Sequence, residues 1–305
     1  MDFGAHALRE PFFAQSVQTL LSEHRADSAR TALDAITTIC HQLPSTPPAG
    51  FIFHISRCGS TVVSNALKAV RGTCVLAEAQ PIDAMFTPYG THPAWPFARD
   101  RFEASRGDLF GALMAIYCRR RPGAERGVVV KFTSTNLLGL ALVRHLWPAV
   151  PIVVVIRDPI EVVVSNLVRP PSWAGRRDGQ VTAALCGASG EPQPMPPHEF
   201  LARAIGAMCQ AAVEHLSEPC AVVDHRRLGA AIWPDLLALF RIEASATDLA
   251  AIADMMQWQA KDRDRAQRYQ DDSADKQRQA SRDVREAVER WARPPYRQLQ
   301  QRERI

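Results

Sequence analysis

Apolar positions along this chain fall into short, nearly unbroken runs set between longer stretches of mixed character. Gly50-Phe51-Ile52-Phe53-His54-Ile55 and Pro151-Ile152-Val153-Val154-Val155-Ile156 are bulky or β-branched almost throughout. Runs of this kind, without a polar alternate, belong to strands buried on both faces of a parallel sheet. Thr73–Ala77, Gly127–Thr133 and Pro219–Asp224 read as three further short strands. Helical stretches are expected from Ser60 to about Ala69, from Asp108 to Arg121, after Thr133 through Trp147, from Pro159 onward, over 199–216, and from Leu236 into the C-terminal part. Residues 1–49 read as an amphipathic helical preface that ends in the turn-rich Leu43–Gly50. Residues 86–108 lack a clear period and are expected to form a surface excursion. Residues 169–197, rich in proline and glycine, are expected to be a long loop of the kind that serves as a lid or substrate wall. Strands alternating with helices predict an α/β fold, with a mostly parallel central sheet flanked by helices. One domain is expected over 1–305, with the preface at 1–49, a core at 50–240 and a helical extension at 241–305.

Ligands of such sheets bind at the carboxyl ends of strands. Arg57, Glu78, Lys131 and Arg157 all fall at or just past predicted strand ends, which points to one shared site. The first strand runs into Ser56-Arg57-Cys58-Gly59-Ser60-Thr61 and then at once into a helix. Strand, turn and helix together aim backbone N–H groups and a helix N-terminus at one point, the ingredients of an anion site. The loop is not a Walker A sequence: Gly-x-x-x-x-Gly-Lys-Ser/Thr is absent, and its cation, Arg57, lies two residues before the glycine. The Pro151 strand ends in Arg157-Asp158-Pro159, where Asp158 suits a helix N-cap and Pro159 the first helical position. Ser165 lies about two turns along that helix. An ordinary β–α turn with an exposed arginine has the same local pattern as the first loop. The two segments in this order, about 100 residues apart, carry more weight than either alone.

Arg57-x-Gly59-Ser60-Thr61 after a strand resembles the 5′-phosphosulfate loop of sulfotransferases that use 3′-phosphoadenosine 5′-phosphosulfate (PAPS). An arginine at a strand end followed eight residues later by a serine, here Arg157 and Ser165, resembles the pair that holds the 3′-phosphate in that family. The resemblance covers roughly residues 50–240. It implies a P-loop nucleotide-binding, sulfotransferase-like fold and in-line transfer of a sulfuryl group from PAPS, as co-substrate and without metal, to a hydroxyl or amine of a small-molecule acceptor. Arg57 stands where the family places a lysine or arginine against the leaving phosphate, and Cys58, Gly59, Ser60 and Thr61 complete the cradle. Many members carry a histidine two residues after a strand lysine, but Lys131-Phe132-Thr133 has threonine there. Other branches use a glutamate after the strand that follows the first helix, and Glu78 looks like that residue. The resemblance therefore implies Arg57, Glu78 and Lys131 as the catalytic group.

Plainer readings stand beside these. Glu78 also reads as a loop carboxylate, Lys131 as a strand-end lysine snorkelling to solvent, His54 as a hydrogen-bonded core histidine and Cys58 as a small loop residue with no histidine partner. An ATP-dependent kinase on a related fold would take Asp158 as a magnesium carboxylate, against which stand the missing loop lysine and the arginine just before Asp158. A non-catalytic module that binds the nucleotide needs no base, so Glu78 separates it from an enzyme.

Composition trims the alternatives. A hydrophobic share of 47% in 305 residues supports a large core rather than disorder. A net charge of +4 does not demand nucleic acid and suits a multiply anionic nucleotide. The seven cysteines are scattered without a Cys-x-x-Cys pair, so neither a disulfide framework nor a zinc site is expected, and a reducing cytoplasm fits. No apolar run approaches a membrane span, and no secretory leader or membrane partner is expected. Residues 261–290 carry nine Lys/Arg against eight Asp/Glu, a near balance that reads as a solvated helix face. The alternative there is that Lys276, Arg278 and Arg282 fold back over the nucleotide. Trp95 and Trp173 are candidates for apolar walls around an acceptor.

Overall fold

In the computed structural model, residues 8–23, 34–86, 99–120, 123–175, 195–260, 262 and 266–303 are described. Five strands form one sheet: β1 (Gly50–His54), β2 (Thr73–Ala77), β3 (Gly127–Lys131), β4 (Ile152–Ile156) and β5 (Cys220–Asp224). Every pairing is parallel, and the order across the sheet is β2-β3-β1-β4-β5. All residues of β1, β2 and β4 are buried, as their lack of polar alternation demands. β1 lies at the centre, with Phe51 beside Val130 on one side and Phe53 beside Val154 on the other. The chain builds β2 and β3 to one side of β1, then crosses over to build β4 and β5. The reversal opens a crevice over the carboxyl ends of β1 and β4, where open α/β sheets bind ligands.

The described helices are α1 (Phe13–Ser22), α2 (Asp34–Cys40), α3 (Ser60–Ala69), α4 (Gln80–Ala84), α5 (Arg99–Tyr117), α6 (Leu140–Leu146), α7 (Pro159–Val168), α8 (Pro197–His215), α9 (Trp233–Leu239), α10 (Ala246–Met255), α11 (Ser273–Gln279), α12 (Arg282–Trp291) and α13 (Arg293–Gln300). Two stretches differ from expectation. α5 begins at Arg99 rather than near Asp108, because Arg99–Arg106 has too few apolar positions to display a 3.6-residue period. After β3, a 3₁₀ segment (Ser134–Gly139) precedes α6, started by Thr133, whose N–H donates to Asn136 Oδ1 at 3.1 Å. Trp95 and most of the predicted 169–197 loop lie outside the described residues.

The C-terminal part is helical and docks on the sheet through α8. Gly206 of α8 permits the close approach: a Cβ there would lie 2.2 Å from the Trp291 carbonyl. Arg203 stacks on Trp291 at 4.0 Å. Arg293 pairs with Asp158 at 2.8 Å, and the Tyr296 hydroxyl donates to Asp224 at 2.7 Å, so α13 is latched to the ends of both β4 and β5. α12 buries Val284, Ala287 and Val288 and turns its charges outward, which accounts for part of the mixed-charge segment as a solvated face. No helix among the described residues is long and apolar enough to cross a membrane.

Candidate active site

The loop after β1 leaves the sheet through a backbone path that few residues adopt. Ser56, Arg57 and Gly59 have φ of 74°, 48° and 88°. Only glycine fits at the last position, since a Cβ would lie 2.4 Å from Leu228 and 2.8 Å from His225 Nδ1, on top of the positive φ. Left-handed residues leading into a helix N-terminus are the backbone pattern that gathers N–H groups into an anion nest. Ser60 and Thr61 follow, buried in the first turn of α3. Among the described residues five non-glycines have positive φ, and three of them, Ser56, Arg57 and Glu78, line one cavity. Strain of this kind persists where surrounding structure holds it, and it clusters at functional sites.

That cavity, of about 960 Å³, lies over the crevice between β1 and β4. The wall brings together Arg57, Cys58, Gly59, Ser60, Thr61, Glu78, Arg157 and Ser165 from three separate parts of the chain. Arg57 donates from Nη2 to the Arg169 carbonyl at 2.8 Å, tying the loop to the end of α7. The Cys58 thiol is buried, donates to the Val155 carbonyl at 3.1 Å and is pushed up to about 11 by burial, so it stays protonated at neutral pH.

Arg157 is 5% exposed and heavily engaged. Nε donates to Glu161 and Nη2 to Asp272, both at 2.6 Å, and Nη2 also meets Ser273 Oγ at 3.2 Å. Burial works against its charge, and the two carboxylates more than restore it.

At the other end of the cavity Glu78 accepts from Lys131 and lies 3.5 Å from His54 Nε2. Burial opposes its ionisation, but Lys131 and His54 outweigh that and hold the carboxyl well below the usual carboxylate range. Lys131 is 1% exposed and does not line the cavity; it lies behind Glu78, contrary to the expectation of a solvent-reaching lysine. His54 accepts the Ser56 N–H on Nδ1 at 3.1 Å, and its Nε2 is 3.1 Å from the Phe132 carbonyl. With Nδ1 accepting, the ring proton belongs on Nε2, and burial together with Lys131 lowers the pKa and keeps the ring neutral. His54 is thus a hydrogen-bonded buried histidine that joins the loop backbone to Glu78. Thr133 lines the cavity, as do Phe12, Ser134 and Trp173.

Phe12, Glu161 and Asp272 had no signal in the chain. Phe12 comes from the N-terminal preface, with Lys131 Nζ 5.5 Å from its ring centre. Glu161, Asp272 and Lys276 surround Arg157. Of the three basic residues that the alternative reading folds over the nucleotide, Lys276 lines the cavity and Arg278 and Arg282 do not; they pair with Asp275 and Glu286 on their own helices. His225, just past β5, obeys the same strand-end rule as Arg57 and Arg157 and was open to discovery by it.

No family model matches the chain, and no curated protein sequence matches it. The crystal structure of a sulfotransferase from Alicyclobacillus acidocaldarius is similar at 15% identity, covering 85% of this chain and 98% of that one with a TM-score of 0.46. A likeness that loose assigns no function.

Proposed function

We propose that this chain is a sulfotransferase that takes a sulfuryl group from a 3′-phosphorylated adenosine phosphosulfate, PAPS, and passes it to a hydroxyl or amine of a small molecule. The observation that carries this reading is one cavity lined by the left-handed loop at the end of β1, a buried arginine at the end of β4, and a carboxylate held ionised by a buried lysine. The loop of Arg57 to Thr61 would hold the 5′-phosphosulfate, and Arg157 with Ser165 the remote phosphate. Bound there, the donor supplies an electrophilic sulfuryl group and a phosphate leaving group. Little covalent work then falls to the protein, and positioning and electrostatics do most of it. Arg57 would stabilise charge growing on the leaving oxygen. Glu78 would accept the proton of the incoming hydroxyl or amine, with Lys131 and His54 as positioning residues that keep it ionised and oriented. Phe12 and Trp173 would wall the acceptor.

The kinase alternative asks Asp158 to hold a metal. That carboxylate instead caps α7 through the Ile160 N–H at 2.9 Å and pairs with Arg293. A carboxylate held ionised on the cavity wall favours an enzyme over a passive binder, which has no use for it. The deciding experiment is thermal unfolding with adenosine 3′,5′-bisphosphate and, separately, ATP with magnesium. Only the bisphosphate should raise the melting temperature. Stabilisation by ATP with magnesium alone would sink this reading.

A further inference from the structure

Arg157, Asp272 and Lys276 form a closed arrangement inside the cavity. The Asp272 carboxylate is 2.6 Å from Arg157 Nη2 and 2.6 Å from Lys276 Nζ, so it sits between two cations that face the same space. The other carboxylate on Arg157, Glu161, is of a different kind. It is buried, lies one helical turn away and also accepts from Gln277 Nε2 at 3.1 Å, so it is a fixed part of the wall. Asp272 comes from 115 residues further along, and its side chain is 52% exposed. It stands at the entry to α11, a helix of seven residues that buries none of them. The helix is tied to the body by polar contacts, Asp272 and Ser273 to Arg157 and Gln277 to Glu161, with none of its residues fully buried, and segments with few buried apolar contacts open at low cost.

We propose that Asp272 is an internal anion seated where the nucleotide's remote phosphate binds, so that the nucleotide must displace it and it returns as the product leaves. This rests on the nucleotide reading given above. A phosphate cannot share the seat with Asp272, because like charges at contact distance disfavour one another strongly in a partly buried site. With Asp272 swung out, Arg157 and Lys276 are both released to the phosphate, whose oxygens match the guanidinium fork. The competing anion lowers affinity by the fraction of molecules in which the seat is free. It also gives the bisphosphate product a route out: the carboxylate reoccupies the cations as the phosphate detaches. Asp272 is thereby a specificity-determining residue, since it weakens a nucleotide bearing the remote phosphate and leaves one without it untouched.

Calorimetric titration of the full chain with adenosine 3′,5′-bisphosphate and with AMP tests this. Asp272→Asn keeps the shape and removes the charge, so the bisphosphate should bind at least about tenfold tighter, as expected when a competing state is removed. AMP should bind as before, within about twofold of wild type. Asp283→Asn removes the same charge from an exposed position on α12 and should change neither constant, which separates a local effect from net charge. The proposal is overturned if wild type prefers the bisphosphate to AMP but Asp272→Asn binds it no more tightly. If neither wild type nor Asp272→Asn prefers the bisphosphate to AMP, the remote-phosphate reading itself falls, and this proposal with it. Stopped-flow displacement adds a second readout: Asp272→Asn should release the bisphosphate more slowly, and an equal or faster release would count against the idea.

Discussion

The two arginines of the cavity have different surroundings, and their roles divide accordingly. Arg157 is buried and caged by carboxylates, which under the proposed function suits it to hold a charge that does not change during reaction. Arg57 is half-buried on the strained loop, and its guanidinium donates to the Arg169 carbonyl. Arg157→Ala should weaken bisphosphate binding by roughly one to two decades, the worth of a charge-assisted hydrogen bond. Arg57→Ala should instead lower turnover by about 10²–10³, as loss of a single oxyanion donor does, with a smaller effect on affinity. Titration and saturating rates on the two variants decide it; normal turnover with poor binding in Arg57→Ala would reverse the assignment. Glu78 gives a pH prediction. Its folded pKa lies below the ordinary carboxylate range, so it stays ionised above about pH 4.5 and contributes no acidic limb to the rate there. Glu78→Gln should cost about 10²–10⁴ in rate, the usual contribution of a general base. Lys131→Met removes the charge that depresses Glu78, so an acidic limb should emerge near or above the ordinary carboxylate pKa. A flat profile in that variant would mean Lys131 does not tune Glu78.

Among the elements, strands were the most legible and the docking of the C-terminal helices the least. β2 has the bounds read from the chain, and β4 begins one residue inside its predicted run, because an unbroken apolar stretch between turn residues leaves a buried strand little freedom. Arg57, Glu78 and Arg157 could be placed at strand ends on one cavity for the same reason: strand ends are local features. Their partners are not. Asp158 meets Arg293 across 135 residues, and Asp224 meets Tyr296 across 72, and no periodicity encodes either pairing. Asp272 reaches Arg157 in the same hidden way, so a mixed-charge stretch that reads as solvated supplies Asp272, Lys276 and several further residues of the cavity wall. The latch makes a stability prediction of its own. Arg293→Ala strips Asp158 of its ion partner while leaving the Ile160 cap, and should cost about 1–3 kcal/mol, the penalty for an unpaired, partly buried polar group. Urea unfolding should show a lower midpoint at unchanged slope. An unchanged midpoint would mean the Arg293–Asp158 pair does not hold α13.

At the scale of the whole molecule, the sheet order turns separate loops into one site, and the buried charges at that site connect its chemistry to folding. His54 sits under the first loop and His225 just past β5, and burial lowers the pKa of both below the ordinary 6.5, with Lys131 and Arg157 adding to the effect. In the folded chain both rings are therefore neutral at pH values where the unfolded chain takes up protons. The unfolded state binds more protons below about pH 6.5, so stability is complete above that value and falls as pH drops beneath it. Other shifted groups act elsewhere. Glu78, Asp224 and Asp248 have depressed pKa values and lose their stabilising charge only at more acid pH, while Lys68, lowered to about 8, changes its linkage only above that value. The interval from about pH 5 to 6.5 thus reports the two histidines. Melting temperature should hold level from pH 7.5 to near 6.5 and then decline, and the decline should shrink in His225→Gln, which removes one of the two proton-linked groups without touching the Glu78 network. A melting temperature flat to about pH 5 would show that the rings do not resist protonation in the fold, and the neutral His54 beneath the anion nest would have to be abandoned.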